Sequence, residues 1–553
     1  MTGTGAAPFS RSARHTEAWS DVSHATLTTT PVHAPDTDDA WWRQAVIYQI
    51  YPRSWADSDG DGIGDLPGIA ARLPYLRDLG VDAVWLSPFY VSPMNDAGYD
   101  VANYRDIDPR FGTLADADAL IARAHELGLK VIVDLVPNHS SSEHPWFQAA
   151  LADEPGGPDR ARYLFRDGKG EHGQEPPNNW LSVFGGRGWS RVAERDGMPG
   201  QWYLHIFDVT QPDYDWRNEE VRAEFEEILR FWLDRHVDGF RVDVAHSLVK
   251  EASLPDWDGE ISGLVGADGP RAPMWDQDEV HEVYRDWRAV VDEYGPGERI
   301  LCAEAWVQPE ARLARYIRPD EMHQAFNFEF LETSWHAAPL RAVVLASLRA
   351  NDSVGAPTTW VLSNHDVVRH ATRLGLDLDA PRPNGIGADD PQPDTALGLT
   401  RARAATTLML GLPGGAYLYQ GEELGLPEHT TMPDDARQDP TYFATKGAVL
   451  GRDGCRVPMP WQADAPSFGF GPGERTWLPQ PPAYGAYAVD RQDGVAGSTL
   501  ELYRSLLALR RARGIGLAGL DVLDGLGEDV VAFRLTARDG SVTNVVANLG
   551  ATS

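Results

Sequence analysis

Three carboxylates in this chain stand where charge could do chemistry: Asp243 in GFRVDVAH (239–246), Glu304 in ILCAEAW (300–306) and Asp366 in NHD (364–366). Each lies at the end of a short apolar run. Asp134, Asn138 and His139 follow the run at 130–136 in the same way, and Arg241, His246 and His365 accompany the carboxylates. Glycoside cleavage asks for such a set. Its transition state resembles an oxocarbenium cation, which needs one ionised carboxylate below the anomeric carbon and one protonated acid beside the leaving oxygen. Arg241 lies two residues before Asp243, on the same strand face, where its charge would hold Asp243 ionised as a nucleophile requires. Glu304, on the neighbouring strand, would serve as acid and then as base. That placement is compatible with the ~5 Å separation of a retaining enzyme.

Residues so far apart in sequence meet only if a scaffold gathers strand ends. Eight strand candidates are legible: 46–52, 81–87, 130–136, 239–245, 300–306, 326–330 (FNFEF), 358–363 and 415–420. Helical patterns lie between most of them. Residues 219–236, for example, place Val221, Phe225, Ile228, Leu229 and Trp232 on one face. This repeat predicts an α/β chain folded as a (β/α)₈ TIM barrel, whose active site sits at the C-terminal strand ends. The barrel is expected over 41–139 and 206–515, with an inserted subdomain at 140–205 after strand three and a long loop at 424–475 after strand eight. A mobile N-terminal tail is expected over 1–40, and a short C-terminal antiparallel β-domain over 516–553.

The segments DLVPNH (134–139), GFRVDVAH, EAW (304–306) and NHD resemble the four signature regions of the α-amylase superfamily, in the right order and on the right strands. QPDYDW (211–216) resembles the signature of its oligo-1,6-glucosidase and α-glucosidase branch. RQDP (437–440) and GRDGCRVPMPW (451–461) are similar to segments of actinobacterial α-glucosidases. The resemblance implies a retaining exo-α-glucosidase acting on short α-glucosides. It implies Asp243 as nucleophile, Glu304 as general acid/base and Asp366 as the third carboxylate, holding the sugar 2- and 3-hydroxyls. His139 and His365 would bind hydroxyls of the same sugar, and Arg241 would pair with the nucleophile. Tyr99 would stack on the glucose ring, Asp96 would bind its far hydroxyls, and Arg452 would close the pocket, with Arg456 as the competing assignment. Phe184 matches an aromatic lining that pocket.

Linkage is read from Val244, the residue after the nucleophile. Val there goes with α-1,6 cleavage in this branch, yet DVAH resembles enzymes assigned to maltose-type substrates, so α-1,4 is favoured. The alternatives are α-1,6 cleavage and transglucosylation or isomerisation of sucrose or trehalose type.

A metal loop, DSDGDGIGD (57–65), offers Asp57, Asp59, Asp61, the Ile63 carbonyl and Asp65. The alternation matches the first positions of an EF-hand, but Gly68 stands where an EF-hand has its last glutamate. The loop resembles the structural Ca²⁺ (or Mg²⁺) loop of the branch. No organic cofactor is expected.

A net charge of −33 disfavours nucleic acid and anionic membrane as partners and suits a neutral sugar. No apolar run reaches the ~18 residues of a membrane span. Cys302 and Cys455 are too few for a disulfide framework. A cytoplasmic monomer or homodimer is the expectation.

Overall fold

Apolar, mostly buried segments form eight parallel strands: Val46–Ile50, Ala83–Leu86, Lys130–Leu135, Gly239–Val242, Ile300–Ala303, Gln324–Ala325, Thr359–Val361 and Gly415–Tyr419. The computed structural model describes residues 28–194, 197–261 and 271–550. Numbered along the chain, the barrel strands neighbour one another in the order six, five, four, three, two, one, eight, seven. The seam between six and seven is bridged by the Asn327 amide, which donates to the Thr359 carbonyl at 3.1 Å. Side chains alternate across these strands. Ile47, Trp85, Ile132, Cys302, Val361 and Tyr417 fill one core cluster with the strand alternates Tyr48, Val84, Val131 and Leu418 in another, packed with the helices.

The helices follow from their caps and stripes. Asn218 caps Glu219–Asp234 by accepting from the Glu220 amide, and the buried residues Val221, Phe225, Ile228, Leu229 and Trp232 form the expected stripe. Thr113 and Asp116 make a capping box that starts Leu114–Glu126.

Two expectations need correction. Strand six is Gln324–Ala325, and most of the run expected to be this strand forms the helix Phe328–Glu332 instead. Asn327 caps that helix by accepting from the Phe330 amide, so its polarity serves a cap rather than the solvent face of a strand. Five alternating residues fit either period once their aromatic residues are all buried. The mobile tail expected over 1–40 does not hold from Thr28 onward. Thr28–His33 is a strand that pairs antiparallel with Gly519–Asp524, and it completes a four-stranded sheet with Val530–Thr536 and Val542–Asn548. Residues 1–27 of the expected tail lie outside the described residues.

Between barrel strands three and four, Phe165–Arg166, Trp189–Ala193 and Pro199–Leu204 form a three-stranded antiparallel sheet. It has its own core, including Trp180, Trp189, Trp202 and Leu204, which Met274 and Trp275 join from beyond barrel strand four.

Candidate active site

Register sets the centre of the site. Arg241 pairs directly with Asp134 on strand three and with Cys302 on strand five. Its guanidinium is buried over the Trp85 ring. Nη1 donates to Asp134 Oδ1 at 2.8 Å and to Asp243 Oδ1 at 2.6 Å, and Nη2 donates to Glu304 Oε2 at 2.5 Å. Both expected catalytic carboxylates therefore rest on one planar fork, which suits the short separation of a retaining pair rather than the ~6.5–9.5 Å of an inverting one.

The backbone after Asp243 is strained. Val244 has φ 42, a conformation a β-branched residue rarely takes. There its amide donates to Glu304 Oε2 at 3.1 Å, while Trp306 Nε1 donates to Oε1 at 3.1 Å. Glu304 thus accepts three hydrogen bonds.

The expected Arg241–Asp243 pair is present, and Arg241 is shared with two further carboxylates. Burial pushes the Asp243 carboxyl well above the ordinary aspartate range; Arg241 opposes this, and Glu304 and Asp134 add to the rise. The reason is that one guanidinium serves three buried carboxylates. Asp134 is likewise pushed up, to about 7, by burial against Arg241's pull.

The opposite end of the site is built around Arg452. Its Nη2 donates to Asp96 Oδ1 at 2.7 Å and its Nη1 to Asp366 Oδ1 at 3.0 Å. Asp439 anchors it from behind, accepting from its Nε at 2.6 Å and from its amide at 2.8 Å. Burial opposes ionisation of Asp439, but Arg452 and Arg456 hold it near about 2. Burial also opposes ionisation of Asp366, yet the Arg452 and Arg456 guanidiniums that donate to it keep its carboxyl well below the usual carboxylate range.

Asp96 sits on a tight turn after strand two. Asp100 fixes that turn by accepting from the amides of Asn95 and Asp96 at 2.8 and 3.1 Å. Tyr99 stacks on His365 with ring centroids 5.1 Å apart and donates its hydroxyl to Asp134 Oδ2 at 3.0 Å. Both histidines are neutral: burial lowers His139 to about 4 and takes His365 well below its ordinary value.

These residues line one cavity of about 310 Å³. It is bounded by Asp96, Tyr99, His139, Phe184, Asp243, Glu304, His365, Asp366 and Arg452, together with Val183, Phe207, Val244, His246, Ile261, Trp275, Trp306, Val367, Asn384 and Thr441. Ten of the site residues expected from sequence meet here, Arg241 from beneath the wall. Arg452 takes the place for which Arg456 competed: Arg456 is buried behind Asp366, donating to it at 3.0 Å and to the His365 carbonyl at 2.8 Å. Phe184 is a wall of the cavity, with the Arg452 guanidinium 5.0 Å from its ring centre.

Sequence reasoning missed Asp439, Phe207, Trp275 and Asn384. Asp439 lies in RQDP, which the resemblance singled out without a role. The other three sit on irregular segments with no periodicity to mark them.

The expected metal loop lies after strand one. Carboxylate oxygens of Asp57, Asp59 and Asp61 come within 4.8 Å of one another. Asp65 does not join them. Its oxygens accept from the Gly68 amide, the cap of helix Leu66–Leu79, and from the amide and hydroxyl of Ser58.

Known proteins resemble the chain over most of its length. The chain is 39% identical over 497 residues to a "Probable alpha-glucosidase" of Rhizobium meliloti, covering 88% of this chain and 85% of the relative. It is 35% identical to an "Oligo-1,6-glucosidase" of Parageobacillus thermoglucosidasius, over 92% and 90% of the two chains. Among solved structures, the alpha-glucosyl transfer enzyme XgtA superposes with a TM-score of 0.80 at 39% identity, covering 93% of this chain and 92% of that one. The trehalulose synthase MutB gives 0.77 at 30% identity, over 92% of each chain. The family described as "Alpha amylase, catalytic domain" matches residues 49–517, from the first barrel strand to beyond the last, and the chain belongs to that family.

Proposed function

We propose that this chain is a retaining exo-α-glucosidase that releases one glucose at a time from the non-reducing end of short α-glucosides, with maltose-type α-1,4 bonds favoured. The observation that carries the reading is Arg452. It ties Asp96 to Asp366 at one end of the cavity, a bridge that would stop a chain from continuing past the terminal sugar.

In this reading Asp243 attacks the anomeric carbon while Glu304 passes its proton to the leaving oxygen. Glu304 then takes a proton from water as the Asp243–glucose ester is cleaved. The reactive form has Asp243 ionised and the transferable proton on Glu304. Asp366, kept ionised by its two arginines, accepts from sugar hydroxyls. Neutral His139 and His365 offer hydrogen bonds without adding charge, and Tyr99 supplies an apolar face.

A structural Ca²⁺ or Mg²⁺ on Asp57, Asp59 and Asp61 belongs to the same reading. Burial raises the Asp61 carboxyl, and Asp59 and Asp57 add to the rise, a repulsion that a cation would relieve. A neutral sugar partner, rather than nucleic acid or membrane, fits the acidic chain; the described residues include no helix long and apolar enough to cross a membrane. A cytoplasmic monomer or homodimer is part of the proposal.

The test is a hydrolysis panel of maltose, isomaltose, kojibiose, nigerose, sucrose and trehalose, with products identified by NMR. The expected result is glucose released first as the α-anomer, fastest from maltose. Initial β-glucose would rule out retention. A rearranged disaccharide as main product would support the isomerase alternative, to which the likeness to a trehalulose synthase gives weight.

A further inference from the structure

The turn that carries Asp96 is held in an uncommon shape. Met94 and Ala97 have φ 66 and φ 52, the left-handed region that residues other than glycine rarely take. Such backbone persists only where its surroundings hold it. Here three successive amides are each taken by a side chain. Met94 donates to Ser92 Oγ at 2.9 Å, Asn95 to Asp100 Oδ2 at 2.8 Å and Asp96 to Asp100 Oδ1 at 3.1 Å. Ser92 Oγ in turn donates to Asp100 Oδ1 at 2.8 Å. Consecutive amides turned one way make a seat for an anion, and the Asp100 carboxylate fills it.

The seat is fastened from behind and serves the cavity in front. Behind it, the Ser92 amide donates to Asp108 Oδ2 at 3.1 Å, and Arg110 Nη2 donates to the Ser92 carbonyl at 2.6 Å. In front, Asp96 meets Arg452 and Tyr99 stacks on His365. Asp96 and Tyr99 line the cavity. Asp100 is buried and does not.

The two carboxyls that brace Ser92 differ in their charged neighbours. Asp108, just beyond the strand Asn103–Ile107, receives Arg110 Nε at 2.8 Å and Nη2 at 3.0 Å. Burial opposes its ionisation, yet Arg110 keeps its carboxyl below the ordinary aspartate range. The charge of Arg110 also reaches Asp100, but among the described residues the hydrogen-bond donors to Asp100 are all neutral. Burial pushes the Asp100 carboxyl up to about 6; the two amides and the Ser92 hydroxyl oppose the rise, and Asp96 adds to it. Asp96 is itself raised by burial, against the pull of Arg452 and Arg456. From the loop after strand three, His139 Nε2 lies 3.1 Å from the Tyr99 carbonyl, and burial keeps that ring neutral. An amide can only donate. A proton added to Asp100 therefore weakens the hold on at least one of the two amides, and the left-handed turn loses what keeps it.

We propose that Asp100 is the positioning residue of the closed end: as a carboxylate it keeps Asp96 and Tyr99 in place for the terminal glucose, and on protonation it releases them, so that glucose binding weakens in acid. This rests on the α-glucosidase reading and adds to it a pH control that acts through binding, separate from the catalytic pair.

The test uses the full chain with two substrates, the best disaccharide from the hydrolysis panel and phenyl α-glucoside. Asp100→Asn keeps the size and one acceptor oxygen but does not titrate, and its new amide nitrogen would face the Asn95 amide, donor against donor. At neutral pH its kcat/KM should fall about tenfold on both substrates, mostly through KM. Ser92→Ala leaves the carboxylate in place and should give a smaller loss of the same kind. The pH dependence is read where no bond is cleaved. In Asp243→Asn, the calorimetric affinity for the disaccharide should fall about tenfold from about pH 7.5 to about pH 5. Asp243→Asn/Asp100→Asn should start weaker and lose no more than about twofold over that range. An equal fall in both proteins, or a wild-type KM in Asp100→Asn, would overturn the proposal. If Asp100→Asn does not fold, a wild-type KM in Ser92→Ala would overturn it. A wild type that cleaves no α-glucoside would instead sink the α-glucosidase reading, and the proposal with it.

Discussion

The two ends of the cavity solve opposite problems. At the closed end, charges are bound to charges. Arg452 holds Asp96, Asp366 and Asp439 at once, and Arg456 supports Asp366 from behind. At the other end, beside Val244, the wall is aromatic and aliphatic, with Phe207, Trp275 and Ile261. A terminal glucose presents the same hydroxyls in every substrate, so a rigid, fully paired frame suits it. Leaving groups differ, so an apolar wall with few polar contacts suits them. The catalytic pair stands between, on an arginine that it shares with Asp134.

The largest effect should come from the point where both ends meet. Asp243→Asn removes the group that forms the ester, and kcat should fall by on the order of 10⁴-fold or more on every α-glucoside. Steady-state kinetics checks this; near-normal turnover would move the nucleophile elsewhere. Glu304→Gln should behave differently. Its loss of roughly 10²–10⁴-fold should apply to disaccharides, while 2,4-dinitrophenyl α-glucoside, which leaves without a proton, should recover most of the rate of the first step. Equal losses with both leaving groups would refute the acid role.

The closed end should respond more moderately and without regard to the leaving group. Arg452→Met removes charge-assisted bonds to three carboxylates, and kcat/KM should drop roughly tenfold to a hundredfold for disaccharide and phenyl glucoside alike. That parallel loss is the signature of a contact to glucose. A loss confined to one of the two substrates would mean that the two ends are not separate in function.

The catalytic centre was the most legible part of the site in the sequence, and the reason is physical. Asp134, Arg241, Asp243 and Glu304 sit on or beside short barrel strands, where alternation decides the face and parallel pairing decides the level. Segments of that kind advertise themselves. Trp275 and Phe207 lie on irregular backbone, where no period marks which side chains turn inward. The reading of Arg241 was incomplete for another reason. Spacing along one strand placed it beside Asp243, but its second and third partners come from other strands, and only the assembled barrel shows that its charge is divided. Strand six was misplaced because a five-residue aromatic run cannot distinguish a strand from one capped turn of helix. The strand Thr28–His33 was missed because its pairing partner, Gly519–Asp524, lies at the other end of the chain.

The smallest effect tests what braces the closed end from outside. The Asp57 amide donates to the Phe470 carbonyl at 2.8 Å, and the Trp477 amide donates to the Gly62 carbonyl at 2.9 Å. Gln438, the neighbour of Asp439, donates its Nε2 to the Trp477 carbonyl at 3.0 Å. The acidic loop therefore reaches the support of Arg452 through one continuous chain of hydrogen bonds. If Asp57, Asp59 and Asp61 hold a cation, chelation should lower the thermal midpoint by a few degrees, because a ligand bound only to the folded state stabilises it by mass action. Added Ca²⁺ or Mg²⁺ should restore the midpoint in the wild type but not in Asp59→Asn. The ratio of disaccharide to phenyl glucoside turnover should stay constant throughout, since the loop is linked to the end of the cavity that does not see the leaving group. A midpoint indifferent to both chelator and cation would show that the three carboxylates form a solvated turn. A shifted ratio would show that the ends communicate, and that the division of labour along the cavity is weaker than its geometry suggests.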